Sequence, residues 1–344
     1  MSNIQINPYN FPAGIVGGWK EVARTTLGSP ADSITVSGIP NKQYYMILTN
    51  IIGSGSTWGD ARLNGDTGTN YALRRSLNGA ADTTLINYSY FLVPPNTFTS
   101  AYFMTTHISN LVNKEKLGIE NCVDGSTVGA GTAPVRYNGV SKWVNTTDSI
   151  SSFSRENGYT GDYAAGSEIV VLGYDPTDIH PETDNFWEEL ASVDYDASTP
   201  DELVTGTIAA KKYLWVQAYI NGNGTQDNTS FRFNGDTGNN YCWRNSANGG
   251  ADYTVVNYNY LRTLDGDKEH SLTNTFIVNN SASEKLLIAN AVQFTTAGAG
   301  TAPNRNETVG KWANTSSQIT DITYIQFGAG SFDTGSTLKV WGHD

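Results

Sequence analysis

The chain has 344 residues, enough for about two domains that each bury a core without disulfides or metals. Charged residues make up only 16% of it, and 33 acidic against 21 basic residues give a formal net charge of -12. This composition argues against a helical bundle and against a nucleic-acid-binding protein, because phosphate contact needs concentrated Lys and Arg. No apolar run is long enough to span a membrane as a helix, so we expect no membrane partner.

The first 16 residues precede the repeated part of the chain and contain Pro8, Phe11 and Pro12. They lack the charged start and apolar centre of a secretory signal. We expect residues 1–16 to form an N-terminal arm that could extend onto a neighbouring subunit. Phe11 is the candidate interface residue in this arm.

The rest of the chain repeats itself. Residues 62–91 read RLNGDTGTNYALRRSLNGAADTTLINYSYF, residues 232–261 read RFNGDTGNNYCWRNSANGGADYTVVNYNYL, and 18 of these 30 positions are identical. A second shared segment, GAGTAP, occurs at 129–134 and again at 298–303. Because each copy has the size of a domain, we interpret the repeat as a tandem duplication.

This repeat defines the expected domain organisation. Module 1 spans residues 17–175, and module 2 spans residues 185–344. Residues 176–184 contain two prolines and several acidic residues, a composition typical of a linker.

Strand signals dominate both modules. Residues 43–52 and 212–220 are rich in aromatic and β-branched residues and are followed by Gly-rich turns. Asn-Gly at 64–65 and at 234–235 predicts hairpins, and only residues 185–192 have a pattern compatible with a turn or two of helix. Short strands separated by polar turns predict an all-β fold of two tandem antiparallel β-sandwich domains, jelly-roll-like and related by internal duplication.

The shared sequence Asn-Gly-Asp-Thr-Gly-x-Asn-Tyr places one acidic residue in each module, Asp66 and Asp236. These carboxylates could contribute oxygen ligands to Ca²⁺. A calcium loop gathers several carboxylates, however, so a turn in which Asp hydrogen-bonds the local backbone is the favoured interpretation.

A Lys-Trp pair is also repeated. Trp143 and Trp312 could stack on a sugar if they were exposed, but strand alternation favours buried Trp side chains with Lys142 and Lys311 pointing outward. The histidines lack metal-ligand spacing and no nucleophile elbow is present, so we expect no metal, no cofactor and no enzymatic activity.

The sequence RFNGDTGNNY at 232–241 is preceded by an apolar strand, and the module ends with Gly-Ser-Thr before another apolar strand. Residues 62–63 of the first copy are Arg-Leu where this sequence has Arg-Phe. This pattern resembles a module of tailed-bacteriophage virion proteins, which are commonly labelled only as tail or structural proteins. Those proteins usually carry one copy, whereas this chain carries two. The resemblance implies a virion location after synthesis in the host cytoplasm.

Three functions follow from that resemblance. The favoured one is a non-enzymatic virion structural protein, a capsid-surface decoration or cement protein or another minor virion component, bound to capsid or other virion proteins. The alternative is a tail-associated receptor-binding protein that recognises host-surface glycans. A weaker alternative is a double jelly-roll major capsid protein. Because virion positions are symmetric, we expect a homo-oligomer, and a trimer would present six similar lobes.

Overall fold

The structure is a computed structural model that describes residues 18–92, 100–176, 185–223, 228–264, 270–294, 298–328 and 330–344. Within these ranges the regular elements are all β-strands, which confirms the all-β prediction. No helix in the described ranges could cross a membrane. Phe11, the rest of the arm 1–16 and nearly all of the predicted linker 176–184 lie outside the described residues.

The strands of module 1 are β1 (Lys20–Thr26), β2 (Ser33–Ser37), β3 (Tyr44–Ile51), β4 (Gly53–Ser54), β5 (Asp60–Leu63), β6 (Tyr71–Leu77), β7 (Thr83–Tyr88), β8 (Tyr102–Ser109), β9 (Lys116–Asp124), β10 (Val135–Trp143), β11 (Ser152–Glu156), β12 (Asp162–Tyr163) and β13 (Glu168–Tyr174). Those of module 2 are β14 (Glu188–Asp194), β15 (Glu202–Val204), β16 (Tyr213–Asn223), β17 (Thr229–Phe233), β18 (Tyr241–Ala247), β19 (Tyr253–Tyr258), β20 (Leu261–Arg262), β21 (His270–Val278), β22 (Lys285–Phe294), β23 (Asn304–Trp312), β24 (Ile322–Gln326), β25 (Ser331–Phe332) and β26 (Thr337–His343).

Each module consists of a large antiparallel sheet packed on a smaller one. The large sheets have the orders β1-β13-β3-β8-β9-β10-β6-β7 and β14-β26-β16-β21-β22-β23-β18-β19, which correspond strand for strand. The smaller sheets are β2-β11-β5 and β15-β24-β17-β20, and β4 with β12 forms a further short ribbon. Among the described residues, no strand of one module pairs with a strand of the other. The prediction of antiparallel β-sandwiches is therefore confirmed.

The space between the two sheets of each module is filled by alternate side chains of the strands. In module 1, Tyr45, Ile47 and Ile51 of β3 belong to the same buried apolar cluster as residues of β2, β5 and β11. The intervening side chains of β3 point to the opposite face of the large sheet, called here its outer face. Most residues of β3 and β13 are buried, so both faces of these strands are covered.

The prediction of Asn-Gly hairpins at 64–65 and 234–235 is wrong, because these turns do not connect two paired strands. Asn64 and Gly65 have positive φ angles of 53° and 63°, as a tight turn requires. Strand β5 before this turn belongs to the small sheet, however, and β6 after it belongs to the large sheet. The turn carries the chain between sheets because the two strands separate to enclose the core.

The Asn-Gly hairpin of each module lies further along the chain. In module 1 it is formed by Asn78 and Gly79, which have φ angles of 49° and 69° and connect the paired strands β6 and β7. The predicted helical turn at 185–192 is also wrong. Strand β14 forms there instead and pairs with β26 at the sheet edge, with a register shift between Glu189 and Ala191.

Candidate functional site

Asp66 and Trp143 are brought together at the turn after β5. The Trp143 indole Nε1 donates to Asp66 Oδ2 at 2.7 Å, the Gly68 amide donates to Oδ1 at 2.8 Å, and Asn70 Nδ2 contacts both oxygens at 3.1 and 2.9 Å. Burial pulls the pKa of Asp66 upward, but the hydrogen bonds from Asn70, Trp143 and Gly68 outweigh it and lower the pKa. The carboxylate therefore acts as an acceptor that holds the turn against the core.

Module 2 repeats this arrangement. Trp312 Nε1 donates to Asp236 Oδ2 at 2.7 Å, and Gly238 and Asn240 donate to the same carboxylate. Each turn thus supplies a single carboxylate whose oxygens already accept from protein donors. Among the described residues, no group of three or more His, Cys, Asp or Glu is placed to hold a metal ion.

The two tryptophans lie in the module cores. Trp143 and Trp312 are each 1% exposed, so neither ring face is open to a sugar. The candidate glycan-stacking role therefore does not fit their positions, and the core interpretation does. Lys142 and Lys311 point to the outer faces as alternation predicted, but Lys311 is itself buried, because the other module covers it.

The outer faces of the two large sheets pack on each other, and this contact is the main structural feature of the candidate site. A third apolar core lies between the modules, separate from the core inside each one. Module 1 contributes Met46, Leu48, Phe103, Val123, Val170 and Leu172, and module 2 contributes Phe186, Trp187, Tyr213, Phe276, Val278, Leu286, Ile288, Val309 and Trp341. Burial of this many apolar side chains joins the two sandwiches into one unit.

Glu168 organises the polar contacts along one side of this interface. Its Oε1 accepts from the Tyr213 hydroxyl at 2.9 Å and from Lys212 Nζ at 3.0 Å, both in module 2. Within module 1, Arg24 lies 3.4 Å away and Thr26 donates to Oε2 at 2.5 Å. Burial pulls the pKa of Glu168 upward, but Thr26, Lys212 and Arg24 lower it. The glutamate is thus held ionised between the modules.

Arg136 dominates the opposite side of the interface. Its guanidinium donates to Asp252 at 2.7 and 3.2 Å and to Glu307 Oε2 at 2.8 Å, and both acceptors belong to module 2. A planar guanidinium can serve two carboxylates at once with defined geometry, which fixes the register of one sheet on the other.

Residues 125–134 of module 1, called here the interface loop, extend this contact over the outer face of module 2. Lys311 Nζ donates to Gly125 O at 2.9 Å, and the Gly129 amide donates to Glu284 Oε1 at 2.6 Å. The Asn257 amide donates to Ala130 O, and Arg244 Nε donates to Pro134 O, both at 2.9 Å. Backbone groups of the loop thus meet polar side chains and an amide of module 2.

Sequence patterns did not point to this interface. Its apolar members are ordinary strand residues, and Arg136, Asp252 and Lys311 are isolated charges in the sequence. One sequence pattern did indicate strands covered on both faces. Apolar residues are consecutive rather than alternating in residues 168–174 (EIVVLGY) and 43–52, which is typical of such strands.

No protein-family model matches the chain, and no curated protein matches it. Among solved structures, domains LG4-5 of the mouse laminin alpha1 chain align at 11% identity over 95% of this chain and 90% of that chain, with a TM-score of 0.19. An outer membrane channel from Pseudomonas putida F1 aligns at 11% identity over 80% of this chain and 97% of that chain, with a TM-score of 0.13. Both scores are too low to carry an inference about fold or function.

Proposed function

We propose that this chain is a non-enzymatic structural protein of a tailed-bacteriophage virion, positioned on the capsid surface as a decoration or cement protein. The observation that carries the proposal is the buried interface that joins two equivalent sandwiches, together with the RFNGDTGNNY resemblance. A double module with a filled interface offers a large, shape-stable surface that could bridge neighbouring capsid subunits.

Two further features support this role. The residues that the two modules share most clearly, including Asp66 with Trp143 and Asp236 with Trp312, hold turns against the cores. Shared residues thus maintain the scaffold. The net charge of -12 also suits a surface that faces solvent, because an acidic protein would be repelled by packaged DNA.

The proposal is tested by cryo-electron microscopy of virions with and without the gene for this protein. We expect the deletion to remove density across the capsid surface and complementation with the wild-type gene to restore it. Heads that lack the protein should also release DNA at lower temperature than complemented heads.

Other outcomes would contradict the decoration role. Loss of density confined to the tail, with failed adsorption to host cells, would support the receptor-binding alternative. Loss of the entire shell would support the major-capsid alternative. Unchanged density in virions that lack the protein would contradict a virion location altogether.

A further inference from the structure

Module 1 carries a copy of the surface with which module 2 binds the interface loop. Arg74, Asn87, Glu115 and Lys142 occupy the sequence positions of Arg244, Asn257, Glu284 and Lys311. Four residues that hold the interface loop in one module are therefore retained in identity in the other. Lys142 also pairs with Glu115 at 3.0 Å, as Lys311 pairs with Glu284 at 3.3 Å.

The apolar floor of this surface is retained as well, but in module 1 it is open. Leu286, Ile288 and Val309 of module 2 are 1%, 3% and 1% exposed beneath module 1, whereas their counterparts Leu117, Ile119 and Val140 are 55%, 56% and 47% exposed. Together with Ile86, these side chains line a groove of about 480 Å³ on the outer face of module 1. An exposed apolar surface bordered by charged residues is characteristic of a binding site.

Module 2 carries a second copy of the segment that fills the equivalent site. Residues 298–303 have the same sequence, GAGTAP, as residues 129–134 of the interface loop. Ala130 and Pro134 are buried against module 2, whereas all of residues 298–303 are exposed. Behind this segment, Val292 and Leu272 are 43% and 44% exposed, although their counterparts Val123 and Phe103 are buried between the modules.

The buried ion pair beside the interface loop also has an exposed counterpart. Arg136 and Asp252 pair across the internal interface with 4% and 1% of their side chains exposed. Their counterparts, Arg305 and Asp82, are 61% and 49% exposed and pair within their own modules, with Glu307 at 3.4 Å and with Arg74 at 3.6 Å. The chain thus displays one solvent-exposed copy of each side of its own internal interface.

We propose that the outer face of module 1 binds segment 298–303 of a second copy of this chain, repeating the internal contact between molecules. Arg74 and the Asn87 amide would donate to the carbonyls of Pro303 and Ala299, and Glu115 would accept from the Gly298 amide. The chain's own segment lies exposed while Arg136 and Glu168 already fix the modules, so the occupant is the segment of a neighbour. This inference rests on the internal interface and is independent of the virion assignment.

The geometry makes this association heterologous. Module 2 of one copy contacts module 1 of the next, so each copy keeps one free surface of each kind. Such contacts extend until they close into a ring or continue as a filament. A ring of three copies would place six modules around an axis, each joined to the next by a version of the same interface.

The test uses two single substitutions on opposite sides of the contact. Ile119→Asp places a charge on the open apolar floor, and Ala299→Asp places one in the exposed segment. Both positions are solvent-exposed in the chain, so each variant should fold and show the wild-type unfolding transition. Val112→Asp, at a position that is 73% exposed and outside the groove, is the matched control.

Sedimentation velocity and light scattering over a concentration series give the readout. We expect the wild-type chain and Val112→Asp to associate, and each of the other two variants to weaken association at least about tenfold. An equimolar mixture of Ile119→Asp and Ala299→Asp should form a heterodimer, because each variant retains the surface that the other lacks.

Two results would overturn the proposal. A wild-type chain that stays monomeric at all concentrations would show that the segment and groove do not join copies, and would leave closure within one chain as the use of both. A mixture of the two variants that forms no heterodimer, when the wild type does associate, would show that copies meet through another surface.

Discussion

The Arg136 guanidinium of module 1 and the Asp252 carboxylate of module 2 form a two-point ion pair inside the protein, with Nη2–Oδ1 and Nε–Oδ2 distances of 2.7 and 3.2 Å. The pair lies at one side of an apolar core that covers strands of both large sheets. Its position means that the two sandwiches cannot separate without exposing buried charges and apolar side chains. The modules should therefore unfold as one cooperative unit.

Replacement of Arg136 by Ala tests this coupling. The change leaves Asp252 buried without its partner, and loss of one member of a buried pair costs about 3–5 kcal/mol. We expect calorimetry of the variant to show a lower melting temperature. The single transition of the wild type should become broader or split in two. The control is Arg74→Ala, at an arginine whose side chain is 59% exposed. This substitution should change the free energy of unfolding by less than about 1 kcal/mol. Equal effects of the two substitutions would contradict the role given to Arg136.

The turn carboxylates should matter more for stability than other acidic residues. Asp66→Asn replaces one acceptor oxygen by a donor amide that opposes the N–H groups of Gly68, Asn70 or Trp143. We expect a loss of about 1–3 kcal/mol in the free energy of unfolding, measured in urea at neutral pH. Asp236→Asn should have a similar effect in module 2. Asp82→Asn, at an exposed position, is the control, and a loss as large as that of Asp66→Asn would refute the turn-holding role.

Asp60 makes stability depend on pH in the opposite sense to an ordinary carboxylate. Burial raises its pKa from 3.8 to about 7, although Arg155 and Arg75 act against the shift. The folded chain therefore keeps a proton that the unfolded chain releases, so this group's contribution to stability is complete below about pH 4 and is lost as pH rises through 7.

Asp60→Asn should remove that dependence. We expect the unfolding free energy of the variant, relative to wild type, to increase by on the order of 1 kcal/mol per pH unit between pH 4 and 7. Chemical unfolding at several pH values measures the difference, and Asp194→Asn on the exposed edge strand β14 is the control. A constant difference across this range would contradict a raised pKa at Asp60.

Sequence patterns were sufficient for the parts of the fold that depend on local periodicity. Alternation and turn residues identified the strands and the repeat, and the Lys-Trp alternation correctly separated buried Trp143 from outward Lys142. The connection at Asn64 and Gly65 was mispredicted because a positive φ angle fixes the turn but not the sheet that receives the next strand. The module interface was missed because burial of an outer face depends on residues far away in sequence, as Arg136 and Asp252 are from each other.

One internal difference between the modules was also beyond reach of the sequence alone. In the core of module 1, Glu120 and Arg155 form a fully buried ion pair, and Thr106 donates to Glu120 at 2.7 Å. The counterparts of Glu120 and Arg155 in module 2 are Ala289 and Tyr324. Comparison of the two repeats shows both replacements, but not that the two positions touch, because they lie on different sheets. The Tyr324 hydroxyl instead hydrogen-bonds three threonine hydroxyls of module 2, those of Thr229, Thr263 and Thr273.

Module 2 therefore provides a template for replacing the pair in module 1. Glu120→Ala alone leaves the buried Arg155 guanidinium without its ion-pair partner and should cost about 3–5 kcal/mol in unfolding free energy. Glu120→Ala combined with Arg155→Tyr removes both charges, and the new hydroxyl can donate to Gly59 O, which now accepts from Arg155 Nη1 at 2.8 Å. We expect the double variant to be more stable than the single one by at least about 2 kcal/mol, because the cost of the single change is mainly the stranded charge. Urea unfolding of wild type, both single variants and the double variant gives the coupling energy directly. Additive losses would mean that the two side chains contribute independently and that the core of module 1 needs the shape of each residue more than the pairing of their charges.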